Sequence, residues 1–150
     1  MIKIISFIDS YKHFSQPIEE FQKRLWRSVD FMKLKPSKRT KAPEIISDES
    51  KQLLEIIKKT KWYTVLLYIN SAQIDTEKFT QLLEQKQTQY ANIVFIIWWA
   101  YGVDQAVVDS VDMKISLSPM TFPHAQALMM LLEQIYRAQC IKKWTGYHHG

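Results

Sequence analysis

Glycine is scarce in this chain, with three residues in 150. Loops that wrap phosphates or dinucleotides rely on glycine, because its bare backbone can approach a ligand and adopt positive φ. Functions built on such loops are therefore disfavoured. Cysteine is scarcer still. Cys140 stands alone, so no intrachain disulfide can form, which fits a reducing compartment. In its apolar helical setting Cys140 reads as a core residue rather than a nucleophile. No cluster of His, Cys, Asp and Glu has metal-ligand spacing, so no metal site is expected. No run of 18 apolar residues is present, which argues against a membrane-spanning helix. The opening MIKIISFIDSYK is too short and too soon charged for a signal peptide.

What the chain does have is apolar mass. Hydrophobic residues make up 47% of it, enough for a folded globule rather than disorder. A chain of this length buries roughly 70% of its unfolded surface, so one domain over 1–150 is expected. The formal net charge is +5, which leans toward polyanionic partners.

Along the chain, strand and helix patterns alternate. Residues 2–8 read as a strand. Pro17 sits where a helix can begin, with Ile18, Phe21, Leu25 and Val29 on one face. Residues 31–34 form a second short strand. Ser47 or Asp48 is placed to cap a helix carrying Leu53, Leu54 and Ile57. Residues 63–69 are an apolar, β-rich strand. Asp75 caps the next helix, with Phe79, Leu82 and Leu83 inward. Residues 93–99 are another buried strand, 103–111 a short helix, 114–117 a last strand. Pro123 then opens a long helix. Such alternation predicts an α/β fold, a mainly parallel sheet with helices on both faces.

The final helix is apolar on almost every side in its first half, from Ala125 through Leu132. A helix at the end of a small sheet domain keeps one face in water, so that face needs cover. A homodimer is the simplest source; the chain's own loops are the alternative.

Ligands of open α/β sheets bind beyond the carboxyl ends of the strands. Three segments leave such ends: Asn70-Ser71-Ala72, 98–102 and 118–123. The last contains two prolines, so its backbone is stiff. The tail carries Tyr147, His148 and His149, and histidine can act as a base near neutral pH; a frayed polar terminus is the alternative. Lys33, Lys35, Lys38, Arg39 and Lys41 form a dense basic segment. Lys142 and Lys143 lie beside Trp144, a combination suited to phosphates and stacked bases. A solvated charged loop is the plain alternative.

Taken together these residues resemble the RlmH family of SPOUT-class RNA methyltransferases. The resemblance rests on Leu117-Ser118-x-x-Thr121-x-Pro123-His124, then Glu133-Gln134-Ile135-Tyr136-Arg137-Ala138, then Tyr147-His148. Lys38-Arg39 followed by Glu44 and Glu49, and Leu67 in the third strand, add to it. It covers essentially the whole chain. It implies a C-terminal trefoil knot, with the final helix threaded through a loop, one of the rare exceptions to unknotted topology. It implies a homodimer that holds S-adenosylmethionine in the knot and methylates N3 of a pseudouridine in 23S ribosomal RNA within the assembled ribosome, the tail of one subunit completing the site of the other. Carried over, Leu117, Ser118, Pro119, Met120, Thr121, Phe122 and Pro123 would cradle the cofactor, with Leu67 and Gly102 beside them. Tyr147 and His148 would be the catalytic residues, with His148 either the base or a positioning group. Lys38, Arg39, Arg137, Lys142 and Lys143 would face RNA.

The sequence departs from that pattern on the cofactor side. Where the family carries Gly-Gly-x-x-Gly, this chain reads Trp98-Trp99-Ala100-Tyr101-Gly102. Leu67-Tyr68 stands for Leu-Asp, and Ser71 for a glycine. In the tail Gly146 replaces a proline and His149 a permanently charged residue. Two readings follow. One is an active methyltransferase with Trp98 or Trp99 turned into the core. The other is a catalytically inactive homodimer that binds RNA or ribosome without the cofactor.

Overall fold

The computed structural model describes residues 1–8, 10–98 and 102–149. Five strands make one parallel sheet: β1 Ile2–Ser6, β2 Val29–Lys33, β3 Tyr63–Leu67, β4 Ile93–Ile97 and β5 Met113–Ile115, in the order β2-β1-β4-β3-β5. Because all are parallel, all five carboxyl ends share one edge. The helices are α1 Ser15–Leu25, α2 Ala42–Lys59, α3 Thr76–Gln89, α4 Gln105–Ser110 and α5 His124–Lys142.

Side-chain alternation sorts the core into two layers. Ile93, Phe95 and Ile97 of β4 face one way, with Ile2, Ile4 and Val65, under α1, α3 and α5. Val94, Ile96 and Trp98 face the other way, with Ile5, Phe7 and Leu66, under α2 and α4. β4 is buried at all five positions, as a central parallel strand covered on both faces should be.

Two element boundaries differ from the sequence expectation. Val29 does not extend α1; it opens β2 and pairs with Ile2. The helix expected to start at Ser47 or Asp48 starts at Ala42, with Pro43 in its first turn, where a missing N–H costs nothing. Asp48 and Glu49 then hold the preceding loop instead: the Ser37 hydroxyl donates to Asp48 at 2.9 Å and the Ser37 N–H to Glu49 at 3.0 Å. Asp75 caps α3 as expected, accepting from the Lys78 N–H at 2.8 Å. Asp104 caps α4 in the same manner.

α5 buries Ala125, Leu128, Leu131, Leu132, Ile135, Ala138 and Cys140 against the sheet and its two neighbouring helices. Cys140 is thus a core residue, as expected. Met130, Glu133 and Arg137 are left half-buried along the outer side.

Candidate active site

A cavity lies at the carboxyl ends of three adjacent strands, β4, β3 and β5. It measures about 420 Å³, within the roughly 300–1,000 Å³ usual for small-molecule sites. Its apolar floor is Leu67, Ile97 and Ile115, one from each strand end, with Ala127 of α5 beside them. All three floor residues belong to the layer beneath α5, so the helix that closes the core also closes the site. Ile69 and Asn70 form one wall; Trp98, Gly102 and Val103 form the other.

The roof is the loop from Ser116 to His124. Leu117, Ser118, Met120, Thr121 and Phe122 all line the cavity, as do Leu67 and Gly102. Seven of the nine expected cofactor residues are therefore brought together. Pro119 and Pro123 do not line it; both are exposed. Pro123 stands at the N-cap of α5 and fixes where the helix begins. The loop holds its own shape. The Ser116 hydroxyl donates to the Ser118 carbonyl at 2.8 Å, and the Met120 N–H to the Ser118 hydroxyl at 3.0 Å. It is also tied to the opposite wall, since the Ser116 N–H donates to the Ala72 carbonyl and the Ile74 N–H to the Ser116 carbonyl, each at 3.0 Å.

Three features set the cavity's chemistry. Gly102 has φ +99°, and a Cβ added there would meet nothing within 4 Å; backbone conformation, not space, requires glycine. Trp98 is turned into the α2–α4 layer, its ring edge-on to Phe7 at 5.4 Å. Its indole thus borders the cavity instead of filling it, and its buried Nε1 has no partner among the described residues. Trp99, Ala100 and Tyr101 lie outside the described residues. Finally, no described lining residue is an acid, a lysine or an arginine. His124 is the one titratable imidazole, and burial pushes it below the usual histidine range, so it is neutral at pH 7. A neutral cavity offers no cation to a polyphosphate. The first N–H groups of α5 point to this end without helical partners and suit a single carboxylate.

The tail is not part of this cavity. It turns back along α5 and closes a polar cluster around Glu133. Arg137 donates to Glu133 Oε1 from Nη2 at 2.6 Å and from Nε at 3.0 Å. The Tyr147 hydroxyl donates to the same oxygen at 3.2 Å, and Gln134 donates to Oε2 at 2.7 Å. The Tyr147 ring packs edge-on against Tyr136 at 4.9 Å, with the Arg137 guanidinium 4.9 Å over it. Burial first, and then the Glu133 carboxylate, push the Tyr147 phenol above its usual range; it stays protonated. Arg137 Nη1 lies 3.2 Å from His148 Nδ1. A guanidinium can only donate, so Nδ1 accepts and the remaining proton of neutral His148 sits on Nε2.

The expected RNA-facing residues divide among three places. Lys38 and Arg39 are exposed in the loop leaving β2, on the cavity's edge of the sheet and two strands from β4. Arg39 pairs with Asp48 at 3.7 Å. Arg137 is engaged within the tail cluster, its guanidinium held firmly charged by Glu133. Lys142 and Lys143 lie at the far end of α5.

A family model described as "Predicted SPOUT methyltransferase" matches residues 1–148. The chain belongs to the SPOUT methyltransferase family. Relatives of this SPOUT chain carry the name "Ribosomal RNA large subunit methyltransferase H". One from Caldicellulosiruptor saccharolyticus is 32% identical over 154 residues, covering 99% of each chain. One from Fusobacterium nucleatum is 35% identical over 141 residues, covering 91% of each. One from Francisella tularensis is 33% identical over 153 residues, covering 98% of each. As a SPOUT methyltransferase the chain needs a methyl donor. Among the described residues no helix is long and apolar enough to cross a membrane, and no group of His, Cys, Asp and Glu is arranged to hold a metal.

Sequence reasoning did not single out Tyr68, Ile69, Ile97, Val103, Ser116, His124 or Ala127 as lining residues. His124 carried a usable signal, since it starts a helix directly after a strand-end loop. The others look like ordinary core or loop residues until strand order is known.

Proposed function

We propose that this chain transfers a methyl group from S-adenosylmethionine to N3 of a pseudouridine in 23S ribosomal RNA of the large subunit. The observation that carries this reading is the neutral cavity under the 116–124 loop, in a SPOUT chain whose relatives bear a ribosomal RNA methyltransferase name. Bound there, the cofactor would supply an electrophilic methyl group on a sulfonium. Leu67, Ile97, Ile115 and Ala127 would take its apolar parts. Gly102, Leu117, Ser118, Met120, Thr121 and Phe122 would wall it. Pro119 and Pro123 would stiffen the roof. We carry with this reading one domain over 1–150, a trefoil knot through which α5 passes, and a cytoplasmic setting.

The catalytic tail acts by holding, not by basicity. Both Glu133 oxygens already accept hydrogen bonds, Tyr147 is a neutral phenol, and His148 presents an N–H at Nε2. Tyr147 and His148 would therefore orient the target base through donated hydrogen bonds, and positioning two bound reactants can supply much of a barrier. Because the tail lies along its own α5 and not in its own cavity, a second subunit would bring its tail to the site. The half-exposed side of α5 with Met130 would be covered in that homodimer.

Adding S-adenosylmethionine at 100 times its Kd is expected to stabilise the protein by about 2.7 kcal/mol, read as a rise in melting temperature. Incubation with labelled cofactor and ribosomes should then transfer label to large-subunit RNA. An unchanged melting curve at millimolar cofactor would sink the reading. For the RNA side, the double variant Lys38→Glu, Arg39→Glu should weaken ribosome binding and flatten its salt dependence, by about one unit of slope for each phosphate no longer neutralised. The same slope in variant and wild type would move the footprint off this loop.

A further inference from the structure

His124 is the imidazole on the wall of the cavity, and its position there is fixed by the backbone. It is the first residue of α5, directly after the N-cap Pro123, and it is half-buried. Both surroundings disfavour its charged form. Burial strips water from an imidazolium and holds His124 below the usual histidine range. The unpaired N–H groups in the first turn of α5 present the positive end of the helix to it.

The walls around it bring no formal charge among the described residues. The end of β3 supplies a phenol, Tyr68, and an amide, Asn70; the segment after β4 supplies Trp98, Gly102 and Val103. The 116–122 loop supplies hydroxyls and apolar groups. Neighbouring charges along the chain are engaged elsewhere. Asp75 accepts from the Lys78 N–H at 2.8 Å and pairs with Lys78 Nζ at 3.4 Å. Asp104 accepts from the Ala106 N–H at 2.8 Å. Before β5, Asp112 accepts from the Thr64 N–H at 2.7 Å; within β5, Lys114 donates to the Val108 carbonyl at 3.4 Å. The first charged side chain of α5 after His124 is Glu133, which Arg137 holds at 2.6 Å. The charge state of this wall is therefore the charge state of His124.

That charge bears on one comparison above others. S-adenosylmethionine and the thioether left after transfer, S-adenosylhomocysteine, share their adenosine, ammonium and carboxylate groups. They differ by one methyl group and one positive charge on sulfur. In the ratio of their affinities every shared group cancels, and the sulfonium alone remains. A cation on the wall repels that sulfonium in a site poor in water, where like charges interact far more strongly than in bulk solvent.

We propose that His124 is a specificity-determining residue of the cofactor cavity: uncharged, it admits the sulfonium donor and the thioether product alike, and charged, it turns away the donor selectively. The proposal rests on the S-adenosylmethionine reading above and deepens it. It also gives a reason for the imidazole to stand at the first position of α5, where burial and the helix end together keep it uncharged at neutral pH.

The test measures both affinities by calorimetry, from pH 8 to pH 5, for wild type, His124→Gln and His124→Lys, with circular dichroism confirming the fold of each. The imidazole of His124 is titrated in parallel by NMR, without ligand and with each ligand. At pH 8 His124→Gln should keep the wild-type ratio, and His124→Lys should shift it at least ~10-fold against the donor, the scale of two like charges in one small cavity. In wild type the same shift should appear as pH falls through the NMR midpoint of His124. His124→Gln should show none, which separates this residue from His13, His148 and His149. By reciprocity, S-adenosylmethionine should lower that midpoint further than S-adenosylhomocysteine does. Equal displacement of the midpoint by the two ligands overturns the proposal, and so does an unchanged ratio in folded His124→Lys. An imidazole that takes no proton down to pH 5 overturns it too, since the side chain then has no charge with which to discriminate. Wild-type protein that binds neither ligand overturns the S-adenosylmethionine reading itself.

Discussion

Removing residues 147–150 is expected to leave S-adenosylmethionine binding intact while slowing methyl transfer about 10²-fold or more, the scale of a misplaced reactant. The first half follows from the cavity, whose described lining ends at Ala127. The second follows from the tail cluster. Tyr147 and His148 hold one another's neighbours in place through Glu133 and Arg137, and without them nothing orients the base to be methylated. Binding is measured by calorimetry and transfer by single-turnover label incorporation. A mixing experiment locates the tail. Ala127→Trp fills the floor of the cavity but keeps the tail; the truncated chain keeps the cavity but lacks the tail. If the site is shared between subunits, mixed dimers of these two inactive proteins should recover activity. No recovery from verified mixed dimers would place the whole site within one chain.

Trp98→Gly is expected to cost roughly 3–5 kcal/mol of stability, the range for emptying a buried aromatic position. That is a large share of the roughly 5–15 kcal/mol that holds a domain folded. The sequence alone leaves two readings open, an indole turned into the core and a lost cofactor site. The structure favours the core reading for Trp98, because the indole packs edge-on to Phe7 in the layer under α2 and α4. Denaturant unfolding gives the stability loss. S-adenosylmethionine affinity should not improve, since the ring lies in the layer under α2 and α4 and does not fill the cavity. Tighter cofactor binding with unchanged stability would mean that the ring stands in the site after all.

Why the sequence could not decide between the two readings at Trp98 is physical. In β4 every residue from Ile93 to Ile97 is apolar and buried, so no alternation marks which face each side chain takes. Parity becomes visible only when Phe95 is found under α3 and Ile96 under α2 and α4. Leu67 and the roof residues were legible for the contrary reason. They sit at strand ends, where a parallel sheet must place its ligands, and the motif around Ser118 and Thr121 named the loop. The start of α2 was missed because Ser47 and Asp48 are good capping types; Pro43 was the better sign, and Asp48 proved to be tethering Ser37. The fold-back of Tyr147 onto Glu133 had no local signature, because the turn that allows it holds Trp144 where glycine would have announced it. The separation of Lys142 and Lys143 from the cavity needed only helix length, since the 19 residues of α5 span about 28 Å at 1.5 Å each.

The uncharged cavity has a consequence for how the protein handles its two ligands. Binding of a polyanion through lysines and arginines releases condensed counterions and weakens steeply with added salt. A ligand held by apolar walls, backbone groups and a neutral imidazole releases none. Ionic strength therefore acts as a valve on one ligand only. With the methyl donor in this cavity, the protein would carry it and dock RNA at moderate salt, and at high salt would release the RNA and stay loaded. A column step in salt would then elute a donor-charged protein ready for a single synchronous round of transfer.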